Sequence, residues 1–244
     1  MPAPRNMPRF VPPLLSFVAG YIDVVTFVAL FGLYVAQVTG SFVTAGAQIV
    51  GHNHANAFIT ILAIPVFVLA AIVTVLFCHV LARRGHSPLG WSLALEAVLL
   101  AAFYGCALIG PLNRTGGATL VASLLALAAM GVQSALVKLL MRDVASTNVM
   151  TTNTSLLGID AAEFLLAWNE KRKFPKNRRA AEVFRKRRKS FYRLGEITLG
   201  FLAGAALGAV IYHEVGLHAL IAPIAIVVLF AALAFARKLG SRHF

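Results

Sequence analysis

The chain has 244 residues, of which 59% are hydrophobic and only 13% charged, and its mean hydropathy is +0.80. Soluble domains carry about a quarter charged residues, so this composition excludes an ordinary soluble protein and predicts one that resides in a lipid bilayer. Transmembrane helices of about 20 residues each leave no room for a large catalytic domain beside them, so residues 1–244 are expected to form a single integral membrane domain.

Long apolar runs bounded by charges or turn residues predict six transmembrane helices. In chain order they cover residues 12–34, 57–81, 90–110, 117–140, 195–213 and 218–236. In the fifth run, Gly200, Gly204 and Gly208 repeat every four residues and predict a surface for close helix packing, within the monomer or between protomers. The predicted fold class is therefore all-α, as a polytopic membrane protein with six transmembrane helices.

The distribution of Lys and Arg predicts the orientation, because positive charge beside a span resists translocation. With a cytoplasmic N-terminus, the outer connections receive Arg114 alone, and every other Lys and Arg lies inside. Both termini are therefore expected in the cytoplasm. Residues 35–56 and 143–169 remain outside the spans, and we expect non-crossing helices or re-entrant segments there, which need shielding by protein or a water-filled cavity.

An internal repeat is indicated when Gly20 is placed over Gly131. This alignment puts the first span beside the fourth and, after one inserted residue, puts residues 39–41 over 151–153. It predicts two halves, about residues 10–112 and 115–238, that each hold three spans and cross the membrane in opposite senses. Such a 3+3 inverted repeat is common in secondary transporters, whose sites lie where the halves meet. The alternative is an old duplication that only packs helices.

Charged and polar residues inside the spans are the candidates for a central site. Asp23 is the only charged residue between Arg9 and Arg83, and it lies near mid-membrane, where an ionisable group is functional by default. It would carry a proton, bind a cation or anchor a substrate; the alternative is a protonated, hydrogen-bonded Asp that only locks helix packing. The candidate residues for binding a small polar solute or ion are Asp23, Gly20, Thr39, Gly40, Ser41, Gln133, Ser134, Thr151, Thr152, Asn153 and Glu96.

No motif indicates an enzyme, a cofactor or a metal. The sequence contains no His-Glu-x-x-His, Gly-x-Ser-x-Gly or phosphate-loop pattern and no catalytic carboxylate pair at a recognisable spacing. Cys78 and Cys106 lie inside apolar runs without a ligand spacing. We therefore expect neither catalysis nor a bound cofactor or metal.

A basic segment at residues 170–193 holds twelve of the 22 Lys and Arg, with Glu182 as the only acidic residue between Lys171 and Arg193. Next to a membrane, such a run is attracted to anionic lipid headgroups by about 1 kcal/mol per basic residue. No base-reading module indicates nucleic acid. The candidate lipid-binding residues are Lys171, Arg172, Lys173, Arg185, Lys186, Arg187, Arg188 and Lys189, with Phe174, Phe184, Phe191 and Tyr192 as candidate interfacial anchors.

Three segments resemble a known family. They are Ala19-Gly20-Tyr21-Ile22-Asp23, Val38-Thr39-Gly40-Ser41 and Met150-Thr151-Thr152-Asn153-Thr154. They resemble the YoaK-like family of uncharacterised bacterial inner-membrane proteins, the domain of unknown function 1275. The resemblance covers nearly the whole chain and implies six spans and the bacterial inner membrane, but no activity. Ser41 stands where that family often has Asn, and Thr152 where Gly is common.

Two functions remain open from the sequence. The first is a small transporter or permease-like protein for a small polar solute or ion, expected to be a homodimer because six spans are few for alternating access. The second is a non-transporting scaffold or regulator that engages anionic lipid or a protein partner through the basic segment.

Overall fold

The computed structural model describes residues 8–51, 54–110, 112–113, 116–140 and 150–236. These residues form eight α-helices and one short 3-10 helix at Gly216–Leu220, without any strand among them. The helices are α1 (Val11–Ala29), α2 (Val38–Val50), α3 (His54–Arg83), α4 (Pro88–Ile109), α5 (Gly117–Leu140), α6 (Met150–Lys173), α7 (Arg178–Val215) and α8 (Ile221–Phe235). The predicted all-α fold class is confirmed.

Five stretches of the described chain are long and apolar enough to cross a membrane, as expected of a multi-pass membrane protein. They are Val11–Ala29, Ala57–Arg83, Pro88–Ile109, Gly117–Leu140 and Arg178–Phe235, the last of which contains α7, the 3-10 helix and α8. The predicted span at 117–140 coincides with α5. The predicted fifth span at 195–213 lies within α7, which begins earlier, at Arg178, and continues through the basic residues into the apolar ones.

The end predicted for the first span, residue 34, is also wrong. Helix α1 ends at Ala29, and the chain then turns through Phe31 and Gly32, whose φ angles are 56° and 98°. Residues 30–34 are apolar and continue the hydropathy signal of the helix, although their backbone has already left it. The turn redirects the chain towards α2.

Helices α1 and α7 pack against each other, and the glycine spacing predicted from sequence makes this close approach possible. A Cβ at Gly200 would overlap the carbonyl oxygen of Pro13, and one at Gly204 would overlap that of Phe17. Since these contacts advance together along both helices, α1 and α7 run parallel. Small residues let the two backbones approach within the monomer, which confirms the packing role predicted for this repeat.

A second close approach joins α5 to α3. A Cβ at Gly131 of α5 would lie 2.9 Å from the carbonyl oxygen of Phe67 in α3. Gly20 of α1 is in the corresponding position, because a Cβ there would overlap the carbonyl oxygen of Phe201 in α7. The two glycines that align in the sequence therefore each face the backbone of a phenylalanine on another helix.

The apolar core lies between α1, α4 and α5, with Tyr21, Phe103 and Met130 among its largest fully buried side chains. Helix α8 packs on α4, and α3 packs on α5, at the periphery of the bundle. Helices α2 and α6 pack on α3 and α7, respectively. The polar residues considered below lie in and around this core.

Candidate functional site

Asp23 fixes the part of the chain that follows α1. Its Oδ1 accepts the backbone N–H groups of Val35 and Ala36, each at 2.8 Å, and that of Gln37 at 3.4 Å. The residue is only 3% exposed. Buried backbone N–H groups need an acceptor, and a carboxylate is a strong one. Asp23 thus binds the backbone of the loop that leads into α2 at Val38.

This contact makes α2 fold back alongside α1. Asp23 precedes the end of α1 at Ala29 by six residues, which corresponds to about 9 Å along the helix axis. The other end of α2 lies beside the end of α1, because Gln48 Nε2 donates a hydrogen bond of 3.4 Å to the carbonyl oxygen of Phe31. Gln48 Oε1 accepts a hydrogen bond of 2.9 Å from Thr60 of α3. The chain therefore folds back to the depth of Asp23 before α2 leads it out again.

The Thr39-Gly40-Ser41 segment lies in the first turn of α2. Ser41 is buried, and its hydroxyl donates to the carbonyl oxygen of Tyr34 at 3.0 Å. Gly40 packs against the Tyr34 ring, since a Cβ there would lie 2.9 Å from that ring. Thr39 is exposed. The segment therefore uses Ser41 and Gly40 to hold the returning loop, which leaves the Thr39 hydroxyl accessible.

The matching segment lies at the start of α6. Asn153 is buried, whereas Thr151 and Thr152 are exposed. In the described chain no contact joins α2 to α6, so the two polar segments belong to different packing units. Of the second stretch predicted not to cross, residues 143–149 lie outside the described residues.

Two polar side chains connect α1 to its neighbours. Gln133 of α5 donates from Nε2 to the carbonyl oxygen of Leu15 at 2.7 Å. The Ser16 hydroxyl donates to the carbonyl oxygen of Ile197 in α7 at 2.8 Å. Ser134, the neighbour of Gln133, is half-buried. Gln133 binds α1 at Leu15, five residues before Gly20, so these two predicted site residues lie about a turn and a half apart along α1.

Glu96 of α4 is in a different situation from Asp23. The residue is 0% exposed, and neither carboxyl oxygen has a hydrogen-bond partner among the described residues. The Ser123 hydroxyl and Gln133 Oε1, both on α5, are also buried and lack a partner within that part of the chain. Unpartnered buried polar groups are few in native structures, and they mark functional groups or sites for a bound water or ion. Helices α4 and α5 therefore each carry buried polar atoms that no described residue bonds.

The basic segment is part of a helical hairpin formed by α6 and the first half of α7. The Phe164 ring of α6 lies 5.6 Å from the Phe191 ring, with an interplanar angle of 10°, and 5.6 Å from the Phe184 ring. Glu163 forms an ion pair with Arg187. Aromatic and charged contacts thus hold the hairpin closed.

Two of the predicted lipid-binding residues on this hairpin lie over an aromatic ring. The Lys171 ammonium lies 4.5 Å from the centroid of the Phe184 ring. The guanidinium carbon Cζ of Arg188 lies 5.7 Å from the same centroid. Apart from Arg187, which is half-buried, the remaining candidates are exposed, namely Arg172, Lys173, Arg185, Lys186 and Lys189. The expectation that Phe184 anchors in the membrane interface is wrong, because it is 8% exposed and packs inside the hairpin. Phe174 and Tyr192 are exposed.

Residues 13–233 match a family model described as a protein of unknown function, DUF1275. The chain belongs to this family. The match confirms the family inferred from the sequence resemblance and covers most of the 244 residues. No curated protein and no solved structure matches this DUF1275 protein. The family assigns no activity, so the function has to be inferred from the geometry.

Sequence reasoning did not single out two features of this DUF1275 protein. Ser123 is one of them, and its only signal was a lone hydroxyl within an apolar span. The second is the ion pair between Arg9 and Glu196, 3.6 Å apart, which joins the start of α1 to α7. Nothing in the sequence relates two residues so far apart along the chain.

Proposed function

We propose that this DUF1275 protein is a transporter that moves a small polar solute or ion across the bacterial inner membrane, with Glu96 as the group whose charge changes during transport. One observation carries the proposal: Glu96 is fully buried, and neither carboxyl oxygen is hydrogen-bonded within the described chain. An ionisable group inside the membrane is expensive, and such groups mark ion pathways and proton relays. Ser123 and Gln133 supply further polar atoms on the facing helix.

The return of α2 alongside α1 supports this proposal, in which α2 is a re-entrant helix. Transporters commonly build their sites with broken helices whose N-termini lie within the membrane. Helix α2 begins at the depth of Asp23, whose carboxylate is already engaged by the backbone N–H groups of residues 35–37. In the proposed mechanism Asp23 therefore positions α2, whereas Glu96 takes up and releases the charge.

An inverted 3+3 repeat with six spans is part of the proposal. In it, α1, α3 and α4 correspond to α5, α7 and α8. The paired contacts of Gly20 with Phe201 and of Gly131 with Phe67 support it, since each joins the first helix of one half to the second span of the other. The packing of α2 on α3 and of α6 on α7 follows the same correspondence. Parallel α1 and α7 would be the first and fifth of six crossings.

The proposed topology places both termini and the basic hairpin in the cytoplasm, because positive residues are retained on that side. The homodimer expected from the small number of spans stays a prediction. Its members would each carry one Glu96.

Ligand-dependent stability tests the proposal. We would record the melting temperature of the detergent-purified protein against a panel of amino acids, sugars, organic anions and inorganic ions. A ligand that binds only the folded state raises this temperature by mass action. We expect at least one small polar ligand to stabilise the wild type and to lose this effect in Glu96→Gln. Equal stabilisation of both proteins by every active ligand would show that Glu96 is not part of the binding site.

A further inference from the structure

Helix α7 changes character near Leu194, where its basic residues give way to apolar ones. Two pockets open at this level. One, of about 190 Å³, lies between the start of α1 and α7, and the other, of about 450 Å³, lies between α6 and α7. Lys189, Arg193 and Ile197 line both pockets. These three residues are spaced by four along the helix, so they occupy one face between the two openings.

Positive charge exceeds negative charge in each pocket. Arg9 and Glu196 complete the charged lining of the first pocket, and Lys186 and Asp160 complete that of the second. Each pocket therefore has three basic side chains and one carboxylate. Both carboxylates already have partners, because Glu196 pairs with Arg9 and Asp160 accepts a hydrogen bond from the Ser190 hydroxyl. They therefore neutralise little of the charge of Lys189 and Arg193.

Neither Lys189 nor Arg193 forms an ion pair with a described residue. The Arg9–Glu196 pair nearby is 3.6 Å long, and its side chains are 76% and 43% exposed. Exposed pairs of this kind contribute little to stability, so Arg9 is also free to turn towards a stronger anion. The pockets thus present positive charge that the protein itself leaves uncompensated.

The walls below these cations are apolar. Pro12 and Pro13 line the first pocket, Leu156 and Leu194 line the second, and Ile197 belongs to both. Pro13 also contacts Gly200 of α7, so the apolar wall continues into the packed part of the bundle. Cations beside an apolar wall at the end of a membrane helix match the phosphate and acyl chain of a phospholipid. A soluble phosphate ester would leave the apolar wall unused.

We propose that Lys189 and Arg193 bind the phosphate group of an anionic phospholipid whose acyl chain lies along the exposed Leu156 and its apolar neighbours in the pocket walls. An arginine can donate two parallel hydrogen bonds to phosphate oxygens, whereas a lysine acts as a point charge. The site is local, in contrast to a general attraction of lipid by all twelve basic residues of the segment. Because α1, α6 and α7 all line it, the bound lipid joins the hairpin to the membrane bundle.

Native mass spectrometry of the full chain in detergent, titrated with phosphatidylglycerol, tests this inference. The test variant is Lys189→Gln with Arg193→Gln. The matched control is Arg178→Gln with Arg179→Gln, which removes the same charge from exposed positions at the far end of the hairpin. One basic residue near an anionic surface accounts for roughly a fivefold change in affinity, so we expect the test variant to bind about 25-fold more weakly. The control should retain an affinity close to that of the wild type.

Equal losses in the test and control variants would overturn the site, since they would indicate diffuse attraction by the whole segment. Saturable binding of glycerol 3-phosphate at the affinity of the lipid would overturn the lipid as the occupant. Arg193→Lys keeps the charge and should keep part of the affinity. If the double variant does not fold, this single variant decides the question, because unchanged lipid affinity in Arg193→Lys would contradict the paired hydrogen bonds of the arginine.

Discussion

Asp23 Oδ1 accepts the backbone N–H of Ala36 at 2.8 Å, and this contact brings the chain beyond α1 back alongside it. The carboxylate suggested a central site in the sequence, yet its hydrogen bonds hold the loop of residues 35–37 that leads into α2. Among the alternatives open at the sequence level, a hydrogen-bonded Asp that fixes packing describes the contact best. The buried carboxyl that remains without a partner in the described residues is Glu96.

Replacing Asp23 by Ala should destabilise the protein. Three backbone N–H groups would lose their acceptor, and leaving buried groups unpaired costs about 1–3 kcal/mol. Asp23→Asn is the control, because an amide oxygen can still accept these hydrogen bonds. Thermal unfolding in detergent should rank the wild type above Asn and Asn well above Ala. An Ala variant as stable as the wild type would show that Asp23 does not hold α2.

The α1–α7 interface should not tolerate a methyl group at Gly204. A Cβ there would overlap the carbonyl oxygen of Phe17, so the helices would have to separate. Overpacking of this kind costs about 1–3 kcal/mol. Gly105→Ala in α4 is the control, since a Cβ at Gly105 meets no described atom within 4 Å. Comparable melting temperatures for the two variants would contradict the close packing of α1 on α7.

Phe184→Ala should open the α6–α7 hairpin. Phe184 is 8% exposed and packs against Phe164, and truncating a buried Phe costs about 3 kcal/mol or more. We expect trypsin to cleave the hairpin faster in this variant, because its many Lys and Arg residues then become accessible. Phe174→Ala, at a position 57% exposed, is the control and should be cleaved like the wild type. If trypsin cleaved Phe184→Ala at the rate of the wild type, this residue would not hold the hairpin closed.

The six-span topology predicts that Glu182 and Glu214 lie on opposite sides of the membrane. Both are exposed, the first on the basic part of α7 and the second near its C-terminal end. In a background with Cys78→Ser and Cys106→Ser, a membrane-impermeant maleimide should label Glu214→Cys from outside intact cells. It should label Glu182→Cys only after the cells are opened. Labelling of both from the same side would show that α7 does not cross.

The sequence predicted helices well where local hydropathy decides them. Helix α5 coincides with the prediction because Gly and charged residues bound its apolar run on both sides. The end of α1 was placed too late, because residues 30–34 are as apolar as the helix they follow. Their reversal depends on the contact of Asp23 with residues 35–37, which hydropathy does not report.

The candidate site was predicted only in part, because the sequence gives a residue's position along a helix but not its partners. Asp23 and Glu96 both read as intramembrane carboxylates, and only packing separates the hydrogen-bonded one from the unpartnered one. The sequence predicted Phe184 as a membrane anchor, because aromatic residues between cations are typical of an interfacial segment. Its burial comes from Phe164, twenty residues earlier in the chain and on the facing helix.

Solute-dependent pH change inside proteoliposomes tests the proposed transport most directly. Vesicles that contain a pH-sensitive dye and the purified protein would receive each solute of the panel from outside. We expect at least one solute to change the internal pH with the wild type and with Glu196→Gln, a matched change at an exposed carboxylate. The response should be lost in Glu96→Gln while its melting temperature is retained. A solute response that survives in Glu96→Gln, or its absence with the wild type for the whole panel, would contradict the account.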